Sequence, residues 1–221
     1  LVGSEMCIRD RYKEGSWLIR PIKTVVDLIP LFDKYEEINV LDLGCGVGRN
    51  CICIARHYYD RLCKIDCVDI LDLAIEKLYA NVDEYGVTSN ICGIVKSIDD
   101  YQIKERNYDL VMAVSSLEHV DSKETFVNKL REIEHGIRKN GIVCLVVNSN
   151  IKEFDKKTGN EILPQFEVCL PTEEMQRIFE KAFSEWTVLK FTVVDQQYDI
   201  PRDSGICELK TSVVTFVAKK G

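Results

Sequence analysis

Asn39-Val40-Leu41-Asp42-Leu43-Gly44-Cys45-Gly46-Val47-Gly48-Arg49-Asn50 decides how the rest of the chain is read. Val40, Leu41 and Leu43 form a short apolar run that breaks off at three alternate glycines. Beyond them Cys51, Ile54, Ala55 and Tyr58 recur at helical spacing. The stretch predicts a buried strand, a tight turn and an amphipathic helix. Glycine removes the Cβ that would hold a ligand off the backbone. The helix behind it offers unpaired N–H groups and the positive end of its dipole.

Spacing narrows the ligand. A dinucleotide fingerprint reads Gly-x-Gly-x-x-Gly. Here Arg49 stands at the third glycine position, and the pattern is acidic-x-Gly-x-Gly-x-Gly. The stretch Leu-Asp-Leu-Gly-Cys-Gly-Val-Gly-Arg-Asn resembles motif I of the class I S-adenosylmethionine-dependent methyltransferases, and among them the tellurite-resistance methyltransferase-like branch. The resemblance covers residues from about 13 to 221. It implies a doubly wound, seven-stranded, mostly parallel α/β sheet closed by a C-terminal antiparallel hairpin. It also implies S-adenosylmethionine as cofactor and a small-molecule methyl acceptor. A nicotinamide-dependent oxidoreductase and a non-catalytic ligand-binding protein on the same fold are the alternatives. The missing third glycine and the terminal hairpin argue against the first.

Composition sets outer bounds. A chain of 221 residues, 46% hydrophobic, suits one α/β domain with a full core. Its longest apolar run, residues 142–147, is too short to span a bilayer. No charged-then-apolar leader is visible, so a cytoplasmic protein is expected. A net charge of −7 argues against holding a phosphate backbone by overall charge. Ten cysteines lie mostly within apolar stretches, without a Cys-x-x-Cys pair, and are expected to be reduced, buried and metal-free. Residues 5–11 read like a translated sequencing adapter, so residues 1–12 are expected to be a non-native leader and 13–221 the domain.

Taken in order, Ile22, Val25, Val26 and Ile29 give a first helical stripe between Pro21 and Pro30, with Tyr12 and Trp17 before it. Residues 63–68 predict a second strand ending at Asp69, 25 residues after Gly44. An acidic side chain there can accept both ribose hydroxyls of a nucleoside, or cap the next helix. Residues 91–95 predict a third strand and residues 108–114 a fourth, which runs into Ser115-Ser116-Leu117-Glu118-His119-Val120. His119 is the candidate catalytic residue, because ligands of open α/β sheets bind where strands end. Asp121 and Glu124 suggest a helix start. Residues 142–147 predict the fifth strand, with Asn140-Gly141 ending the helix before it. Residues 148–170 are expected to form a long polar lid, followed by a helix capped by Thr172 and strands at 186–194 and 209–217.

The resemblance assigns cofactor contacts residue by residue. Asp42, Gly44, Cys45, Gly46 and Gly48 belong to motif I, and Asp69 with Ile70 to the ribose end. Ser97 and Ile98 fall where the family frames the adenine with an acidic and then an apolar residue. Ser97 is not acidic, and a shift would bring in Asp99. Ser115 follows the fourth strand. No metal ligand set is implied.

Overall fold

The structure, a computed structural model, describes residues 20–202 and 205–221. The expected leader, Tyr12 and Trp17 lie outside the described residues. The elements in chain order are α1 (Lys23–Leu28), β1 (Glu37–Leu43), α2 (Arg49–His57), β2 (Leu62–Asp69), α3 (Asp72–Glu84), β3 (Ile91–Val95) and β4 (Tyr108–Val114). They continue with α4 (Lys123–Gly136), β5 (Ile137–Asp155), β6 (Glu161–Ile162), α5 (Thr172–Ala182), β7 (Thr187–Arg202) and β8 (Gly205–Lys219).

The strands make one sheet in the order β3-β2-β1-β4-β5-β8-β7, with the two-residue β6 attached to β5. β1 to β5 pair in parallel; β8 runs antiparallel to β5, and β7 antiparallel to β8. This is the expected doubly wound sheet with its terminal hairpin, with the short β6 added. Two helical layers explain why the central strands are apolar throughout. Val40, Met112 and Cys144 face the core beneath α2 and α3, with Ile54, Ala55 and Leu78. Their alternate neighbours Leu41, Val111 and Val143 face the core beneath α4 and α5, with Phe126, Leu130 and Phe179. β1 sits between β2 and β4, so the chain reverses direction across the sheet there. A crevice opens at such a point beyond the carboxyl ends of the strands.

Four expectations need correction. The fifth strand was expected at 142–147 but spans Ile137–Asp155. Ile137 already pairs with Tyr108, and the register then shifts across Asn140-Gly141 before Ile142 meets Leu110. Asn140 has a φ of +66°, so Asn-Gly makes a bulge within the strand and does not end α4. Second, residues 148–155 are not loop. Lys152 to Asp155 pair with Lys210 to Cys207 on β8, because a backbone ladder needs a partner strand and not an apolar sequence. Third, α4 is capped by Ser122, whose Oγ accepts from the Thr125 N–H at 3.1 Å. Fourth, Thr172 does not cap α5; its own N–H donates to Asn150 Oδ1 at 3.2 Å.

The longer hairpin has a geometric result. The parallel strands end near Leu43, Asp69 and Val114, whereas β5, β7 and β8 run on together for several residues. A small antiparallel arm therefore extends past the ligand edge of the sheet. Glu153 and Arg202 join it internally: Nε to Oε1 at 2.7 Å and Nη2 to Oε2 at 2.8 Å.

Candidate functional site

The glycine turn leaves β1 and enters α2. Its glycines have positive φ: +73° at Gly44, +55° at Gly46 and +93° at Gly48. Val68 O on β2 accepts from the N–H groups of both Gly44 (2.8 Å) and Cys45 (3.0 Å), which fixes the turn to the neighbouring strand. Space is as restrictive as angle. A Cβ on Gly44 would lie 2.3 Å from Ser116 Cβ, and one on Gly48 would lie 2.3 Å from Leu78 Cδ1.

Two carboxylates flank this turn. Asp69, at the end of β2, accepts from Gly46 N–H through Oδ2 (2.8 Å) and from Leu71 N–H through Oδ1 (3.0 Å). It thus ties the glycine turn to the start of α3, and burial raises its pKa against the lowering effect of these bonds. Each oxygen keeps a lone pair that a hydroxyl could use. Asp42 is buried in β1, and its Oδ2 has no hydrogen-bond partner among the described residues. Burial raises its pKa to about 7; the Arg49 charge pulls it down and the Asp69 charge adds to the rise. An orphaned buried carboxylate oxygen calls for a donor from outside the described residues, such as a ligand.

The remaining expected residues divide. Cys45 is buried, and its hydrogen bond with Cys67 is outweighed by burial, so the thiol is pushed up to about 12 and is no nucleophile. Lys96 N–H donates to Asp69 O at 2.8 Å, which brings the exit of β3 beside Asp69. Just beyond, Ser97 Oγ donates to Asp99 Oδ2 (2.9 Å) and accepts from Asp99 N–H (3.0 Å), so Ser97 and Asp99 form one turn. Ile98 packs partly buried against the second core, whereas Ile70 is exposed. Ser115 has a φ of +53° and donates its N–H to Val146 O at 2.7 Å. Its neighbour Ser116 packs on Gly44 and donates Oγ to Leu43 O at 2.7 Å.

His119 is half exposed. Its ring stacks on Phe166 with centroids 4.8 Å apart, and Nδ1 lies 3.2 Å from Glu167 Oε2. The segment between β6 and α5 therefore reaches back to the end of β4. Sequence reading passed over Glu118 and Asn148. Glu118 is fully buried on the same turn, and Asn148 on β5 donates to it through its backbone N–H (3.2 Å) and its side-chain amide. The sequence signal was an acidic residue between Leu117 and His119, just past an apolar strand. Among the described residues no group of three or more His, Cys, Asp or Glu side chains is arranged to hold a metal ion, and no helix is long and apolar enough to cross a membrane.

A family model described as a methyltransferase domain matches residues 40–141, from β1 into β5. Ajmaline N-methyltransferase of Rauvolfia serpentina is 28% identical over 42% of this chain and 31% of that protein. Carboxy-S-adenosyl-L-methionine synthase of Shewanella sediminis is 29% identical over 53% of this chain and 47% of that protein. The chain thus spans half or less of the length of these curated relatives. The solved structure of TehB from Haemophilus influenzae shares the fold, with a TM-score of 0.70 at 17% identity, covering 97% of this chain and 66% of that one. Family match, glycine turn and strand order thus agree on a methyltransferase domain over residues 40–141, and TehB shares its fold.

Asp69 separates a ribose contact from a purely structural tie. Asp69→Ala should weaken S-adenosylhomocysteine binding about 10- to 100-fold, the loss of a charged acceptor worth roughly 1.5–3 kcal/mol. Calorimetry of both proteins checks this. Unchanged affinity would leave Asp69 as only a brace between the turn and α3.

Proposed function

We propose that this protein transfers a methyl group from S-adenosylmethionine to a small-molecule acceptor, within a single domain covering residues 13–221. The observation that carries this reading is the buried Oδ2 of Asp42, without a hydrogen-bond partner among the described residues, beside a glycine turn that Asp69 braces. The residues fit the cofactor. Asp42 would take its ammonium group, the turn at Gly44, Cys45, Gly46 and Gly48 its amino-acid portion, and Asp69 with Ile70 its ribose. Ser97 and Ile98 would border the adenine, and Ser115 would line the floor. The cofactor, when bound, supplies an electrophilic sulfonium methyl. The chain then needs chiefly to align the acceptor and exclude water, and alignment can contribute roughly 7–11 kcal/mol.

The acceptor side is assigned to His119, Phe166 and Glu167, which meet over the end of β4. A small molecule fits the net charge of −7 and relatives such as norajmaline N-methyltransferase of Rauvolfia serpentina. The shared fold and the Gly-Arg-Asn run support placement near the TehB-like branch.

Thermal melting with S-adenosylmethionine, S-adenosylhomocysteine and NAD tests the reading. Ligand at 100 times its dissociation constant should raise the melting temperature by about 5–10 °C, from about 2.7 kcal/mol of linkage. A response to NAD alone would overturn it. The shift should also depend on pH. Asp42 binds its proton more tightly folded than unfolded, so from about pH 4 to 7 the free protein loses stability as pH rises. An ammonium ligand needs the ionised form, so the ligand-induced shift should grow over the same range and level off above about pH 7.

A further inference from the structure

Glu118 is a fully buried carboxylate that the reading above leaves without work. It stands two residues past Ser116, the residue packed on Gly44, and so lies at the ligand edge between β4 and β5. Its Oε1 is occupied by the backbone N–H and side-chain amide of Asn148. Asn148 is held in turn by Thr211, whose Oγ1 donates to Asn148 Oδ1 at 3.1 Å. Oε2 has no hydrogen-bond partner among the described residues. A neutral glutamine could anchor Asn148 equally well through its carbonyl oxygen. What only a carboxylate provides is a second oxygen that also accepts.

We propose that Glu118 is the acceptor-side base, its free Oε2 taking the proton of a hydroxyl group on the small-molecule acceptor; this rests on the methyltransferase reading. The step balances. The acceptor oxygen forms a bond to the methyl carbon, and the carbon–sulfur bond breaks with its electron pair staying on sulfur. The hydroxyl proton passes to Oε2, leaving Glu118 as a neutral carboxylic acid. That proton goes to water once the methyl ether has left.

The surroundings suit the role. Burial raises the Glu118 pKa, opposed by the charge of His119 and the bonds from Asn148, and a carboxylate brought nearer neutrality is a better base. Three titratable groups bear on it. His119 adjoins it on the same turn, Glu167 pairs with His119, and Tyr198 approaches from β7, its own pKa raised by burial and by the Glu118 charge.

The test uses the full chain, S-adenosylhomocysteine, and two probes: phenol, and anisole, which has the same ring but no proton to give. Calorimetry first measures S-adenosylhomocysteine on wild type and Glu118→Gln, and equal affinity is expected. Failure of wild type to bind it would sink the methyltransferase reading itself. With S-adenosylhomocysteine bound, ligand-observed NMR should show phenol held about tenfold or more tighter than anisole by wild type. In Glu118→Gln the carbonyl oxygen must serve Asn148, so an NH₂ donor takes the place of the accepting Oε2 and the preference for phenol should vanish. The wild-type preference should also fade on acidification as Glu118 takes up a proton, a readout that does not depend on the variant folding. No phenol preference in S-adenosylhomocysteine-loaded wild type, or the same preference in Glu118→Gln, overturns the proposal.

Discussion

Gly44→Ala should destabilise the protein by about 2–5 kcal/mol, with loss of cofactor binding wherever the variant still folds. Two costs add. A side chain at a φ of +73° costs roughly 1–2 kcal/mol. Forcing a methyl group to 2.3 Å from Ser116 Cβ adds about 1–3 kcal/mol of overpacking. Ser116 cannot easily give way, because its hydroxyl is bonded to Leu43 O inside the same turn. Gly86 supplies the control: its φ is +67°, but a Cβ there meets nothing within 4 Å. Gly86→Ala should therefore cost only the conformational part, about 1–2 kcal/mol. Urea titrations of the two variants measure the difference. Equal losses would mean that Ser116 moves freely and that the turn is looser than its contacts imply.

Arg202→Ala should cost about 3–5 kcal/mol, the usual penalty for stranding one member of a buried ion pair. Its partner Glu153 has a side chain only 1% exposed and receives two guanidinium hydrogen bonds. Burial alone would raise the Glu153 pKa, but the Arg202 bonds and charge outweigh it and hold the carboxyl below its ordinary 4.5. The pair's contribution is thus fully present above about pH 4.5 and is lost as pH falls through the lower folded value. Melting curves of wild type and Arg202→Ala should converge in that acid range. A gap that stays constant down to pH 3 would assign the loss to packing and not to charge.

The parts of this fold legible in the sequence are those where local pattern and tertiary context agree. β1, the glycine turn and α2 carry apolar periodicity and punctuation that no other arrangement satisfies. The central parallel strands are apolar because both faces are covered. The arm was not legible for the opposite reason. Lys152, Glu153, Gln196 and Gln197 stand outside the layered core, and a ladder of backbone bonds holds them in strands whatever their polarity. Helix caps also slipped, since Asn150 holds the Thr172 N–H from 22 residues away.

At the site, the sequence pointed to the glycine turn itself and to Asp69 beside it, but not to Ser116, which packs on Gly44. Asp69 lies against Gly46 and Leu71, a brace between turn and helix that its spacing alone did not reveal. Glu118 escaped because burial is not a property of one residue. Within Ser-Leu-Glu-His-Val, the histidine carries the louder chemical signal, yet it is the half-exposed member. The buried glutamate is held by Asn148, which lies far along the chain.

The position of β8 also constrains the order in which the protein can assemble on the ribosome. β7 is synthesised first, but it joins the sheet only through β8, which is made after it and is inserted between β7 and β5. Until β8 emerges, β5 remains an open edge, with Val143, Leu145 and Val147 lacking the cover that Phe216 and Val214 later give. The glycine turn, in contrast, is complete once β4 has emerged. A nascent chain halted just after β7 would thus carry a finished glycine turn beside a sticky, unpaired strand. That is the form in which chaperones, or another copy of the same chain, would meet it.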